Sequence, residues 1–229
     1  MNIVITGASK GIGYAIAEIF AAHGHHLVLT SKTPAALETA VAALSKEFPA
    51  VQIESMPADL SIQKEVTAFA NWCLEKTEPT ILINNAGLAA GRAPIDEGLV
   101  SDWEQMIDTN VKGLLYVSKI VSNWMIENKT GHIINIGSIA GKETYANGNV
   151  YCATKHAVDS LNKAMRLDLL TSGIRVTAIH PGAVETEFSV VRFKGDQQRA
   201  DKVYEGFEPL RPSDIADAIY YASQTPAHV

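Results

Sequence analysis

The chain has 229 residues, a length that suits one large α/β domain or two small ones and that can bury a core without a disulfide or metal staple. Hydrophobic residues make up 47% and charged residues 19%, an ordinary balance for a soluble globular protein. The net charge of -6 argues against a nucleic-acid partner, which needs a basic face, and two cysteines, Cys73 and Cys152, are too few for a disulfide framework. No apolar run approaches the ~20 residues of a membrane span, and the N-terminus lacks the basic-then-apolar pattern of a signal peptide. A cytoplasmic protein without a membrane partner is the expectation.

Residues 2–6 form a short apolar run ending at a glycine and predict a buried strand. From residue 11 to about 23 the spacing becomes helical, with Ile12, Ala15, Ile16, Ile19 and Phe20 on one face. Residues 27–30 predict the second strand. Residues 34–48 open on a proline in the first turn and continue through Leu37, Val41 and Leu44 as a helix. A third strand is predicted over 51–57, a third helix over 62–76 and a fourth strand over 80–84. A Gly-, Ala- and Pro-rich loop follows, from about 87 to 94. Helical pattern resumes from 101 to about 129, with a break near Gly113. The fifth strand falls at 131–136, the next helix at 150–170, the sixth strand at 174–179 and the last helix at 215–223. Strands apolar on both faces and alternating with helices imply one doubly wound parallel sheet, covered by helices on both faces, with ligands at the carboxyl ends of the strands. No linker or repeat divides the chain, so residues 1–229 are read as a single Rossmann-type α/β domain.

The turn Thr6-Gly7-Ala8-Ser9-Lys10-Gly11-Ile12-Gly13 joins the first strand to the first helix. A helix N-terminus offers unpaired N–H groups to a pyrophosphate, and glycines allow the sharp turn and the close approach. The spacing is G-x-x-x-G-x-G, and this pattern resembles the short-chain dehydrogenase/reductase family. Asp59-Leu60, Asn84-Asn85-Ala86-Gly87, Asn110, Ser138, Tyr151-x-x-x-Lys155 and Pro181-Gly182 follow in the family's order, so the resemblance spans nearly the whole chain. It implies a cofactor-binding set of Gly7, Ser9, Lys10, Gly11, Ile12, Gly13, Asp59 and Leu60, with Asp59 at the adenine. Asn84, Ala86 and Gly87 resemble the segment that lies against the adenine ribose and supports the central strand. Pro181, Gly182, Val184 and Thr186 match the stretch that holds the nicotinamide.

A ribose 2′-OH is usually held by an acid after the second strand, and here that position reads Thr30-Ser31-Lys32-Thr33. Lys10 and Lys32 stand where the family's NADP-preferring members carry basic residues, so NADP is the expected cofactor. Tyr151 and Lys155 are four apart on a predicted helix and share one face. Tyr151 is assigned as general acid in carbonyl reduction and general base in alcohol oxidation, with the neighbouring ammonium of Lys155 lowering its pKa. The resemblance also places Lys155 against the nicotinamide ribose. The Ser138 hydroxyl can donate to the substrate oxygen. Asn110 matches the family asparagine that supports a proton relay behind the lysine. A Y-x-x-x-K pair alone arises by chance on many helices; Ser138 and the glycine turn set this one apart.

The segment of about 186–212 is read as a substrate lid. Glu187-Phe188-Ser189-Val190-Val191-Arg192-Phe193-Lys194-Gly195-Asp196 is similar to the branch acting on short 3-hydroxy acids, which includes serine and L-allo-threonine dehydrogenases. Arg192 is either a bidentate partner for a substrate carboxylate or the partner of Glu187 or Asp196. The rival enzyme reading is a broad carbonyl or 3-oxoacyl reductase. A cofactor-binding scaffold would be expected to have lost the Tyr, Lys or Ser. His23, His25 and His26 are read as surface residues, Cys152 as core, and no metal site is expected. The apolar girth of helices 111–128 and 150–170, which pair subunits in the family, implies a homotetramer. The family usually ends on a seventh strand, whereas this sequence reads Ala227-His228-Val229, so that the sequence is cut short or the sheet edge is completed differently.

Overall fold

The structure, a computed structural model, describes residues 1–226. Six strands form one fully parallel sheet: β1 (Asn2–Thr6), β2 (His26–Thr30), β3 (Ile53–Ser55), β4 (Ile81–Asn84), β5 (His132–Ile136) and β6 (Arg175–Ile179). Their order is β3-β2-β1-β4-β5-β6, so the winding reverses between β1 and β4. The doubly wound Rossmann-type sheet read from the alternating pattern is therefore the observed one.

Strand alternation divides the core between the two faces. Ile3, Ile5, Ile81, Ile83, Ile134 and Ile136 pack on one side with Ile16 and Phe20 of α1 (Gly11–Ala22), Leu37 and Leu44 of α2 (Pro34–Glu47), and Ile215 and Ile219 of α9 (Pro212–Gln224). Val4, Val28, Leu82 and Ile133 face the other side, against Val66, Phe69 and Cys73 of α3 (Gln63–Lys76) and Val117, Val121 and Met125 of α5 (Leu114–Asn128). Each such side chain, fully buried, contributes about 1.5–3 kcal/mol. Cys152, in α6 (Asn149–Leu169), is wholly buried in a third cluster beside Tyr151, which agrees with its reading as core.

The third strand is shorter than the predicted 51–57. It lies at the edge and pairs in register only through Leu27↔Ile53, Val28↔Glu54 and Leu29↔Ser55. The break expected near Gly113 is a wide, π-type turn over Asp108–Gly113 between α4 (Val100–Ile107) and α5. Gly113 is required there, because a Cβ would stand 2.7 Å from the carbonyl oxygen of Leu60. Within 186–212 the chain folds into two short helices, α7 (Phe188–Arg192) and α8 (Gln197–Asp201), which the periodicity did not predict. The segment is closed at its base. Val184 and Leu210 form a parallel bridge, with Glu185 N–H donating to Leu210 O at 2.8 Å and Leu210 N–H to Ala183 O at 2.9 Å.

His23 and His26 are exposed, as read, but His23 stacks on Tyr220 with centroids 4.1 Å apart. Among the described residues no helix is long and apolar enough to cross a membrane. The expectation about a seventh strand falls on residues 227–229, outside the described residues.

Candidate active site

The carboxyl ends of β1, β4, β5 and β6 open into a cleft of about 350 Å³. Its wall begins with the glycine turn. Gly7 and Gly11 adopt φ of +66° and +56°, conformations that glycine enters without a Cβ clash. A Cβ on Gly13 would lie 2.2 Å from the Gly7 carbonyl oxygen, so the first turn of α1 packs directly on the turn before it. A Cβ on Gly11 would reach into the gap before Thr186, at 3.4 Å. No side chain caps α1, which leaves its first N–H groups available to a phosphate in that gap. The cradle therefore fits a pyrophosphate-bearing cofactor.

Gly7, Ser9, Lys10, Gly11, Ile12, Gly13, Lys32, Asp59, Leu60, Ala86, Gly87, Ser138, Tyr151, Lys155, Pro181, Gly182, Val184 and Thr186 all line this cleft. Asn84 does not: of the two roles its segment resembles, it shows the support of the central strand and not the ribose contact. It is 4% exposed and turned into the sheet, where its Nδ2 donates to Ser118 Oγ and Asn135 Oδ1, both at 2.9 Å. Asn135 continues this ladder by donating to Asn162 Oδ1 at 2.9 Å. Asn85 is the lining residue instead; its Nδ2 donates to the carbonyls of Thr6 at 2.9 Å and Gly7 at 3.1 Å and so ties β4 to the turn.

Both lysines read as phosphate partners hold carboxylates. Lys32 Nζ lies 2.7 Å from Asp59 Oδ2, and Lys10 pairs with Glu187. The two ammonium groups stay largely solvated, so exchanging a carboxylate for a phosphate carries little desolvation cost. The carboxyl of Asp59 is held below its usual range: burial raises it, but the Lys32 ammonium and the Ser61 hydroxyl and N–H outweigh that. No acid follows β2 that could hold a 2′-OH, since Thr30 and Ser31 are buried and Ser31 Oγ donates to Ser9 Oγ at 2.8 Å.

Tyr151 and Lys155 project from α6 into the cleft. Burial pushes the Tyr151 phenol up to about 12, against a hydrogen bond from Ser138 and the nearby Arg192 charge, which pull it down. Burial pushes the Lys155 ammonium down to about 8, and its Nζ donates to Ile136 O at 2.9 Å. The tuning of Tyr151 thus differs from the expected one. The cation acting on the phenol here is Arg192, while Lys155 is turned to the end of β5. Asn110 is buried in the wide turn, where it accepts from Leu88 N–H at 2.8 Å and donates to Leu88 O at 2.8 Å and Thr154 Oγ1 at 3.1 Å. A Cβ on Gly87 would stand 3.2 Å from Asn110 Oδ1 and 3.6 Å from Lys155 Nζ, so glycine lets the asparagine and the lysine converge.

Arg192 lines a second cavity, of about 250 Å³, with Tyr151 as the wall shared with the first. It is 9% exposed; its Nε donates to Gly91 O at 3.2 Å and its Nη1 to Tyr145 Oη at 2.8 Å. Its guanidinium carbon lies 5.5 Å from the ring centroids of both Tyr145 and Tyr151. Neither acid weighed as its partner holds it. Glu187 is taken by Lys10, and Asp196 caps α8 by accepting from Arg199 N–H at 3.1 Å. Tyr145, Phe188 and Val191 were not found from the sequence; Phe188 meets Tyr151 edge-on at 5.7 Å. A tyrosine in a loop carries no periodic signal, and its contact with Arg192 crosses 47 positions.

The family model for short chain dehydrogenases matches residues 1–197. The chain belongs to that family. An NADP-dependent 3-hydroxy acid dehydrogenase of Escherichia coli (strain K12) is 41% identical over 230 residues, covering 100% of this short chain dehydrogenase and 91% of that protein. A serine 3-dehydrogenase of Agrobacterium fabrum (strain C58 / ATCC 33970) is 36% identical over 228 residues, covering 100% and 90%. Among solved structures, the closed form of a serine dehydrogenase complexed with NADP+ matches with a TM-score of 0.92 and 40% identity, over 100% of this chain and 91% of that one.

Proposed function

We propose that this short chain dehydrogenase is an NADP-dependent oxidoreductase that oxidises the β-hydroxyl of a small 3-hydroxy acid, or reduces the corresponding carbonyl, within a single domain whose 186–212 segment closes over the substrate. The observation that carries the reading is Tyr151, which divides the nucleotide cleft from a cavity holding an arginine with no acidic partner among the described residues. Lys10 and Lys32 are the cations for a 2′-phosphate, and Gly7, Gly11 and Gly13 with the α1 N-terminus form the pyrophosphate cradle. The bound cofactor supplies the hydride acceptor in oxidation and the donor in reduction.

The chain's own residues handle the proton and the orientation. With its phenol at about 12, Tyr151 holds its proton near neutral pH, and the phenolate is disfavoured by about 3 kcal/mol relative to an ordinary tyrosine. Tyr151 is therefore poised as the acid of the reductive direction, donating from Oη to the substrate oxygen. In oxidation the same atom takes the hydroxyl proton, so that direction gains from alkaline pH. Ser138 Oγ donates to the substrate oxygen and stabilises the charge that develops there. Lys155, near 8, exchanges a proton at Nζ close to neutrality, with Asn110 beside it. Arg192 takes the substrate carboxylate.

We also propose a cytoplasmic homotetramer paired through the helical regions 111–128 and 150–170. Leu167 and Leu170, 75% and 70% exposed, supply apolar surface at the end of the second region. Solution mass measurement tests the assembly. The chemistry is tested by NADP+ reduction across serine, the threonine isomers, 3-hydroxybutanoate and neutral alcohols. Turnover confined to neutral alcohols would reject the hydroxy-acid reading, and a clear preference for NAD+ would reject the cofactor.

A further inference from the structure

The second cavity holds an acid as well as a base. Asp102 of α4 is 9% exposed and lines the same cavity as Arg192 and Tyr151. Gly91 separates the two charges. Its carbonyl accepts from Arg192 Nε at 3.2 Å, its N–H donates to Arg192 O at 3.0 Å, and on its other side a Cβ would stand 2.9 Å from Asp102 Oδ2. With φ of +67° and no side chain, residue 91 puts no Cβ against the Asp102 carboxylate, so only its backbone stands between the two charged residues. Asp102 already binds an ammonium: Lys194 Nζ lies 2.9 Å from its Oδ1, reaching in from a side chain that is 58% exposed.

Resting on the hydroxy-acid reading above, we propose that Asp102 is a specificity-determining residue that receives the α-ammonium of a 2-amino-3-hydroxy acid. Three groups of such a substrate then meet three side chains around one cavity. The carboxylate meets Arg192, the ammonium meets Asp102, and the reacting hydroxyl meets Tyr151. Lys194 occupies the ammonium position in the absence of substrate and yields it on binding, because a solvated lysine loses little by returning to water. In oxidation the C3–H bond breaks as a hydride passes to NADP+, and the O–H proton passes to the Tyr151 phenolate, whose own proton has been released to solvent beforehand. The products are the 2-amino-3-oxo acid, NADPH and a proton. The ammonium takes no part in the redox step, so Asp102 acts on the choice of substrate.

Serine and 3-hydroxypropanoate differ only in that ammonium, and the ratio of their kcat/KM values isolates it. A hydrogen bond between charged groups removed from a buried site changes affinity by about 10- to 100-fold. Asp102→Asn is expected to lower the serine-to-hydroxypropanoate ratio by that factor, mainly through the KM for serine. Lys194→Met removes the competitor and is expected to lower the KM for serine and raise the ratio. A role for Asp102 only as the anchor of Lys194 predicts that each variant changes both substrates in parallel with the ratio preserved, and that result overturns the inference. Wild-type turnover of 3-hydroxypropanoate but not serine also overturns it, leaving the hydroxy-acid reading intact. Failure of the wild-type enzyme on both acids overturns that reading and this inference with it.

Discussion

Replacing Arg192 with methionine separates carboxylate recognition from proton transfer. The guanidinium has five N–H donors, of which Nε and Nη1 are engaged by Gly91 O and Tyr145 Oη, so donors remain for a bidentate carboxylate. Hydrogen bonds to charged partners are worth about 1.5–3 kcal/mol each, and a two-bond clamp, less the desolvation of both ions, leaves about 3 kcal/mol. That corresponds to a roughly 150-fold fall in kcat/KM for 3-hydroxybutanoate. Methionine fills much of the same volume, and Tyr145 Oη, on a residue 37% exposed, turns to water, so the fold is expected to survive. The neutral amide of the same acid presents the same hydroxyl without the charge and is expected to lose far less. Arg192 also pulls the Tyr151 phenol down from its burial-raised value, so the alkaline limb of oxidation should move to higher pH for both substrates alike. The assay is initial-rate NADP+ reduction by acid and amide across pH 7 to 10. Equal losses for the two substrates would refute the carboxylate role.

Tyr151→Phe removes the proton donor and is expected to cut turnover by about 10²- to 10⁴-fold while NADPH affinity, measured by fluorescence titration, changes much less. Lys32→Glu places an acid after β2 and strips Asp59 of its cation; NADP+ is expected to weaken roughly 10- to 100-fold relative to NAD+, read from the two KM values. Gly13→Ala drives a Cβ against the Gly7 carbonyl, and the required backbone shift should cost about 1–3 kcal/mol of stability in chemical denaturation, together with cofactor binding. His132, 3% exposed, is held at about 4 by burial and by the nearby Arg175 charge, so the unfolded chain binds its proton first as pH falls. Stability from this group is fully present above about pH 6.5 and is lost between 6.5 and 4, by up to about 3 kcal/mol. His132→Gln should flatten that part of the stability–pH curve, and an unchanged slope would remove His132 as its cause.

The sheet was legible because strands such as Ile3-Val4-Ile5 and Ile81-Leu82-Ile83 are apolar on both faces, a pattern that only a doubly covered sheet requires. The nucleotide turn was legible because phosphate binding constrains the backbone, and glycine spacing records the backbone. Asn84 carried both readings because an asparagine at a strand's carboxyl end reads the same whether it faces a ribose or a neighbouring strand; its partners lie 34 and 51 positions away. The state of the Tyr151–Lys155 pair was hidden for a similar reason. Spacing on a helix gives a shared face, but burial sets both proton affinities, and burial belongs to the whole fold. The helices α7 and α8, at five residues each, make less than two turns, too few for an apolar face to repeat.

The Val184–Leu210 bridge has a consequence for how such a chain changes its chemistry. Joining the ends of a loop that long costs on the order of 3 kcal/mol in chain entropy, and here the bridge meets that cost at the margin of the sheet. Residues inside the loop thereby make their contacts to the body, such as Arg192 to Gly91, without having to close the loop themselves. Lengthening or rewriting the loop adds only the slow logarithmic increment of a longer closed loop, while the strands and the nucleotide cradle stay as they are. New selectivities can accumulate there by insertion as readily as by substitution, on a scaffold that does not register the change.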